Sequence, residues 1–116
     1  MGVGPRMSQC VKHGGICYLS GMVAQKKPSA SITEQTKSTL DDIEALLVEA
    51  GTNKGNLLTA SIWLTDISDF DEFNTVWDAW VVPGATPVRA CVESKLAAPV
   101  YNVEIQVTAA MPSSPM

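Results

Sequence analysis

The sequence predicts an α+β domain in which two helices cover one face of a mixed β-sheet, with the chain order ββαβαββ. Segments at both ends of the chain alternate apolar and polar residues, as half-buried strands do. Two interior segments carry apolar residues at helical spacing, and a strand-like run lies between them. A chain of 116 residues forms one hydrophobic core. We therefore expect a single domain, 1–116, with flexible ends at 1–5 and 112–116.

The N-terminal segments predict a β-hairpin. Met7–Lys12 and Ile16–Val23 are both rich in residues that favour strands. His13-Gly14-Gly15 lies between them and has the composition of a tight turn. The two strands are therefore expected to pair antiparallel.

The first helix is predicted from its two ends. Ser31 followed by Glu34 is a capping box, in which the serine hydroxyl accepts a hydrogen bond from a free amide of the first turn. Gly51 lies at the position where a helix commonly ends in a left-handed residue. The apolar spacing between them agrees with a helix, with Ile32, Thr36, Leu40, Ile43, Leu47 and Ala50 on one side.

A strand and a second helix follow. Leu57–Thr65 is rich in Leu, Ile and Trp and predicts the central strand. Ser68 is expected to begin the second helix, because acidic residues follow it in the first turn. Pro83-Gly84 ends that helix. Its apolar stripe is aromatic and consists of Phe70, Phe73, Trp77 and Trp80.

The last two strands carry the candidate chemistry. The run from Pro87 to Glu93 places Arg89 on its polar side, and Val103–Val107 places Glu104 on its polar side. Because the linker Leu96–Val100 is short, the two strands are expected to form an antiparallel hairpin. Arg89 and Glu104 would then lie on one sheet surface, on neighbouring strands, where they could hold an anionic small molecule and a water.

The remaining sheet face has no helix to cover it, so we expect a homo-oligomer. The net charge of −4 and the absence of a basic cluster argue against a nucleic-acid partner. No segment is apolar enough to span a bilayer, and a cytoplasmic location and no membrane partner are expected. Three cysteines without a CxxC pair, together with a single His, give no metal site.

Each candidate residue also has a structural interpretation. Arg89 has the planar fork that binds a carboxylate, but spacing alone favours a surface arginine on a solvated strand face, paired with Glu93 or Glu104. Glu104 could hold or deprotonate a water, or be a solvated strand residue. Cys91 shares a face with Arg89, yet the only His is distant in sequence, which favours a structural thiol over a nucleophile. Asn74 is either a pocket contact or an exposed helix residue.

The ordered series of motifs resembles the RidA/YjgF family of reactive-intermediate deaminases. The resemblance runs from Arg6 to Ala110 and rests on Arg6–Val11, Tyr18–Gly21, Gln35-Thr36, Ala50-Gly51, Asp69-Phe70, Asn74, Pro87–Glu93 and Val103–Ile105. It implies a chorismate-mutase-like subunit in a homotrimer, whose bare sheet faces form a barrel with clefts between subunits. It also implies hydrolysis of 2-imino acids or enamines to 2-keto acids and ammonia, with no cofactor.

The resemblance also implies roles for individual residues. In the family, the arginine at the position of Arg89 binds the substrate carboxylate, and the glutamate at the position of Glu104 places the attacking water. The backbone at Gly21 and Cys91 lines the pocket. Ser20 and Asn74 match positions near that pocket, so the substrate-binding set is Ser20, Gly21, Asn74, Arg89 and Cys91.

The sequence departs from the family pattern at two places. Met7 stands where many members have a tyrosine that contacts substrate, and Met22 stands where many have glutamine. We therefore expect a more apolar pocket and an altered substrate range. Two other functions stay open: a non-catalytic trimer that binds a small molecule or a partner, and a ribonuclease or translation inhibitor. The acidic charge and single His disfavour the last.

Overall fold

The computed structural model describes residues 1–112 and has the predicted element order. Residues 113–116, most of the C-terminal segment predicted to be flexible, lie outside the described residues. Flexibility of residues 1–5 stays a prediction; Val3 forms a β-bridge with Ser8. The elements are β1 (Cys10–His13), β2 (Ile16–Leu19), α1 (Ile32–Ala50), β3 (Leu57–Leu64), α2 (Phe70–Trp80), β4 (Val88–Glu93) and β5 (Val103–Ala110).

Helix α1 begins and ends as its sequence predicts. The Ser31 hydroxyl accepts a hydrogen bond of 3.2 Å from the amide of Glu34. Gly51 follows the helix with φ at 97°, and its amide bonds back to the carbonyls of Leu47 and Val48. Local side-chain chemistry therefore fixes both ends of the helix.

Helix α2 starts differently from the prediction. Ser68 does not cap it; instead a short 3₁₀ turn, Ile67–Asp69, precedes the helix. The Asp66 carboxylate accepts hydrogen bonds from both the amide and the hydroxyl of Ser68. These bonds lower the pKa of Asp66. The predicted aromatic stripe does face the core, with Phe73, Trp77 and Trp80 buried and Phe70 packed against it.

The sheet corrects the predicted C-terminal hairpin. The strand order is β1-β2-β5-β3-β4, so β3 lies between the two strands that were expected to pair. Strand β4 runs parallel to β3, and β5 runs antiparallel to both β2 and β3. The linker 94–102 passes the end of β3, where the Ser94 amide bonds to the Leu64 carbonyl and the Thr65 amide to the Asn102 carbonyl. A short linker thus spans one intervening strand rather than closing a hairpin.

Both helices pack on one face of the sheet, as predicted. Val103, Ile105 and Val107 of β5 are fully buried on that face. The alternating positions of β4 are inverted relative to the prediction, because Arg89 is level with buried Ala60 of β3. Arg89, Cys91 and Glu93 therefore lie on the helix side of the sheet, while Val88, Ala90 and Val92 lie on the opposite side.

That opposite side, which we call the open face, presents apolar side chains to solvent. Val88 is 72% exposed and Val92 is 50% exposed on the edge strand. One continuous row crosses all five strands through the paired residues Val11, Tyr18, Thr108, Thr59 and Val88. Neither helix of the described chain has the length and apolar character needed to cross a bilayer.

Two of the three thiols are core residues. Cys10 and Cys17 are buried on neighbouring strands of the N-terminal hairpin, with their Sγ atoms 3.1 Å apart. Burial, together with the adjacent Cys10 thiol, raises the pKa of Cys17 to about 11. Cys91 is half-buried on the edge strand.

Replacing Gly51 with alanine is expected to destabilise the fold by about 1 kcal/mol, because an L side chain is strained at positive φ. The added methyl group meets only Met111 at an ordinary contact distance, so strain rather than collision is the cause. Gly51→Asn should lose less, since asparagine tolerates this conformation. Thermal unfolding at fixed protein concentration measures both; equal stability of Gly51→Ala and wild type would contradict the role.

Thiol labelling is expected to distinguish Cys91 from the other two cysteines. At about pH 8 a maleimide or iodoacetamide should label Cys91 alone in the folded protein. A cysteine reacts only when its thiol is accessible to the reagent and loses its proton. Mass spectrometry of peptides counts the labelled sites. Rapid labelling of Cys10 or Cys17 under native conditions would show that the hairpin is not packed as described.

Candidate functional site

Arg89 is held by groups from helix α2. Its Nη1 donates a 2.7 Å hydrogen bond to Oδ1 of Asn74. Its guanidinium carbon lies 5.7 Å from the ring centre of Phe70, 6.0 Å from Phe73 and 5.5 Å from Trp77. Within the described residues no carboxylate forms an ion pair with Arg89. The guanidinium is therefore oriented by neutral groups while its charge remains available to an anion.

The contacts of Asn74 and Glu93 bear on two interpretations that the sequence left open. Asn74 accepts a hydrogen bond from Arg89, so it is a contact of the candidate arginine rather than a simple exposed residue. Glu93 accepts a hydrogen bond of 3.0 Å from the amide of Ile67. It therefore connects the edge strand to the start of α2, and the predicted alternative of an Arg89–Glu93 pair is not found among the described residues.

Cys91 lies next to this cluster but has the character of a structural thiol. Burial raises its pKa, and the nearby Arg89 charge offsets part of that rise. His13, the only histidine, lies in β1 at the opposite edge of the sheet and offers no base to the thiol. Cys91 lines a cavity of about 460 Å³ together with Ile67, Ser68, Phe70 and Asp71.

Glu104 lies in a second cluster, on the open face. Its carboxylate lies directly against Gly21, where a Cβ atom would collide with it. The segment after β2 is held beside β5 because Met22 and Ile105 exchange two backbone hydrogen bonds, of 2.8 and 3.0 Å. None of the hydrogen bonds among the described residues uses the Glu104 carboxylate, so its oxygens remain free to accept from a ligand or a water.

The positions that depart from the family pattern line a cavity against helix α1, and Glu104 is not among its lining residues. Met7 and Met22 line a cavity of about 340 Å³ together with Ser20 and Gly21. The amide of Ser20 donates to the Gln9 carbonyl, which fixes the end of β2 against the N-terminal segment. Ser20, Gly21, Met7 and Met22 are therefore neighbours in space, as the motifs suggested.

The two clusters do not meet within one subunit, which corrects the prediction of a shared sheet surface. Arg89 is level with Ala60 of β3 and Glu104 with Trp63, so their side chains project from opposite faces of the sheet. Strands β4 and β5 are about 10 Å apart across β3, and the register adds about 10 Å along it. One small metabolite cannot touch both groups of the same subunit.

The residues described by the structure offer no metal site and one further groove. No group of three or more His, Cys, Asp or Glu side chains among residues 1–112 could hold a metal ion. A cavity of about 440 Å³ runs between α1 and α2 over Leu40, Val76 and Trp80. Lys54 at its rim is already used, donating 2.6 Å to the Trp80 carbonyl, and this groove contains none of the candidate site residues.

Sequence reasoning missed the aromatic groups around Arg89. It assigned Phe70, Phe73 and Trp77 to packing alone. Their spacing of three and four residues on α2, with Asn74 beside them, was the available signal. It could not be used without knowing that β4 packs its arginine side toward that helix.

Comparison with known proteins agrees with the motifs. A family model described as Endoribonuclease L-PSP matches residues 4–111. The chain is 41% identical to a RutC family protein of Haemophilus influenzae over 104 residues, covering 90% of each chain. It is 42% identical to the RutC family protein YoaB of Escherichia coli strain K12 over 106 residues, covering 91% of each.

Solved structures share the fold along nearly the whole chain. A YjgF family protein from Neisseria meningitidis is 44% identical, with a TM-score of 0.93, and the match covers 97% of this chain and 93% of that one. A YjgF/YER057c/UK114 family member from Mycobacterium tuberculosis is 29% identical with a TM-score of 0.83, covering 92% and 88%. On these matches of sequence and fold, the chain belongs to the RidA/YjgF (RutC) family.

Proposed function

We propose that this protein hydrolyses reactive 2-imino acids, or their enamine tautomers, to 2-keto acids and ammonia in clefts between the subunits of a homotrimer. The observation that carries the proposal is the Arg89 guanidinium. It is fixed by Asn74 and three aromatic rings, yet has no carboxylate partner among the described residues. Such a group is suited to bind the carboxylate of a small substrate.

In the proposed imine hydrolysis, the main role of the protein is to position the substrate and the attacking water. Protonation of the imine nitrogen makes the attached carbon electrophilic. A water held by the Glu104 carboxylate adds to that carbon and gives a proton to the carboxylate, which forms a carbinolamine. That proton passes to the amine nitrogen, and the C–N bond then breaks while the hydroxyl gives its proton to the carboxylate, so that ammonia and the 2-keto acid are released. Arg89 orients the substrate through its carboxylate, which contributes several kcal/mol by proximity. No metal or organic cofactor has a part in these steps.

The cleft must combine Arg89 of one subunit with Glu104 of another. The two groups project from opposite faces of the same sheet, so a common ligand requires a second subunit. The exposed apolar side chains of the open face, including Val88 and Val92, support burial against other copies of the chain. A trimer is the arrangement that the family resemblance implies.

The substrate range is proposed to favour apolar side chains. Met7 and Met22 replace polar residues common in the family, and both line the cavity that the Ser20-Gly21 segment shares with helix α1. Methionine adapts to irregular apolar shapes and donates no hydrogen bond. The proposal includes a small carboxylate substrate, a homotrimer and a cytoplasmic location. It includes neither nucleic acid nor membrane as a partner.

The two other functions have weaker support. Ribonuclease activity is suggested by the description of the family model and by the name of a Thermotoga maritima protein, whose structure at 22% identity shares the fold alone. A net charge of −4 and a single His disfavour it. A non-catalytic binding trimer would keep Arg89 without needing a free Glu104 carboxylate. Imine decay, followed after an amino-acid oxidase generates imines from a panel of L-amino acids, separates these functions.

Arg89→Ala is expected to lower kcat/KM for imine hydrolysis by about 10- to 100-fold, the worth of a charge-assisted hydrogen bond. The oligomer should persist, because the side-chain hydrogen bond of Arg89 goes to Asn74 of its own subunit. Arg6→Ala is the matched control, since it removes the same charge from the only other arginine. Equal activity of Arg89→Ala and Arg6→Ala would defeat the assignment.

Gly21→Ala is expected to act like a Glu104 variant. The new methyl group would displace the Glu104 carboxylate, which lies at the flexible end of its side chain and can move without unfolding the protein. Both Gly21→Ala and Glu104→Gln should lower kcat by about 10-fold or more with KM little changed, because a positioned general base contributes at least that much. Initial rates of imine hydrolysis give kcat and KM for the two variants, and thermal unfolding shows whether each variant is folded. A raised KM at full kcat would contradict this role of Glu104.

A further inference from the structure

The aromatic residues around Arg89 are placed by the helix period. Phe70, Phe73 and Trp77 are three and four residues apart on α2, so their rings line one side of the helix, with Asn74 beside them. All three ring centres lie between 5.5 and 6.0 Å from the guanidinium carbon. These distances are within the range at which a cation is attracted to an aromatic face.

The aromatic rings and Asn74 restrict the conformation of the Arg89 side chain without neutralising its charge. Arg89 lies on an edge strand and is exposed, so its long side chain would otherwise sample many rotamers. A carboxylate partner would hold it but would also neutralise the charge that a ligand needs. Aromatic faces and the Asn74 amide oxygen hold the side chain and leave the positive charge uncompensated.

The three aromatic residues differ in how deeply they are buried. Phe73 is fully buried and Trp77 nearly so, which makes them part of the core. Phe70 is half-buried and lines the cavity that also contains Cys91. Phe70 can therefore be changed with less effect on the core, and it adjoins both Arg89 and that cavity.

We propose that Phe70, with Trp77, is a positioning residue that orients the Arg89 fork toward a carboxylate through cation–π attraction. The inference rests on the proposed function only in taking that carboxylate to be the substrate's. It predicts that the π face of Phe70, and not merely its apolar bulk, determines the affinity for the anion. Phe70 itself takes no part in proton transfer or water attack.

The test compares Phe70→Leu, which keeps an apolar side chain, with Phe70→Tyr, which keeps the ring. Titration calorimetry with pyruvate, a simple 2-keto acid, should show binding weakened about 3- to 10-fold in Phe70→Leu and restored in Phe70→Tyr. KM for imines should rise by the same factor while kcat changes less than about 2-fold. Ile67→Ala, which alters the same cavity without touching Arg89, is the control and should bind pyruvate nearly as wild type does.

A spectroscopic signature tests the geometry without any activity. The chain has two arginines, so Arg6→Ala assigns the two Nε–H signals directly. The Arg89 signal should be shifted by the aromatic ring currents in the wild type and in Phe70→Tyr, and should move toward the Arg6 position in Phe70→Leu. An unshifted Arg89 signal in the wild type would overturn the proposal.

The outcomes also separate this inference from the proposed function. Pyruvate binding that depends on the Phe70 ring, in a protein without imine hydrolysis, would support the positioning role and refute the deaminase. Imine hydrolysis with Phe70→Leu at wild-type KM and pyruvate affinity would refute the positioning role alone. Equal weakening in Phe70→Leu and Ile67→Ala would also refute it, because cavity shape would then explain the effect.

Discussion

The position of β3 between β4 and β5 is the constraint on which the rest of the site depends. It sets Arg89 and Glu104 two strands apart, and the pairing registers turn them to opposite faces of the sheet. In the proposed function each group is half of a site, with a fixed cation on the helix side of the sheet and a free carboxylate on the open face. That proposal combines the two groups from neighbouring copies of the chain, so in it the chemistry depends on assembly.

Each half of the site is preorganised by the elements around it. Neutral groups of helix α2 hold Arg89, so its guanidinium is oriented while no described carboxylate forms an ion pair with it. On the other side, Gly21 leaves the space that the Glu104 carboxylate occupies, and the Met22–Ile105 backbone bonds hold Gly21 in place. Cys91 lies beside the Arg89 half of this arrangement, and burial raises the pKa of its thiol, which favours a structural role over a nucleophilic one.

The sequence predicted what local chemistry controls. The Ser31 cap and the Gly51 terminus define α1 by contacts within a few residues, and the element order follows from such signals. The pairing of β4 with β3 was not predictable in the same way, because alternation in Pro87–Glu93 shows that a strand has two faces and not which strand lies beside it. The inverted facing of Arg89 followed from that error. The motifs identified the family correctly, but they did not predict that the candidate site residues divide into two clusters on opposite faces of the sheet.

The most direct test of this account mixes inactive subunits. Arg89→Ala and Glu104→Gln proteins, each purified and then unfolded and refolded together in equal amounts, would form mixed trimers. If each cleft takes Arg89 from one subunit and Glu104 from its neighbour, about a quarter of the clefts in a random mixture regain both native groups. Imine hydrolysis should then return to about a quarter of the wild-type rate. A mixture no more active than its two parents would contradict a cleft shared between subunits.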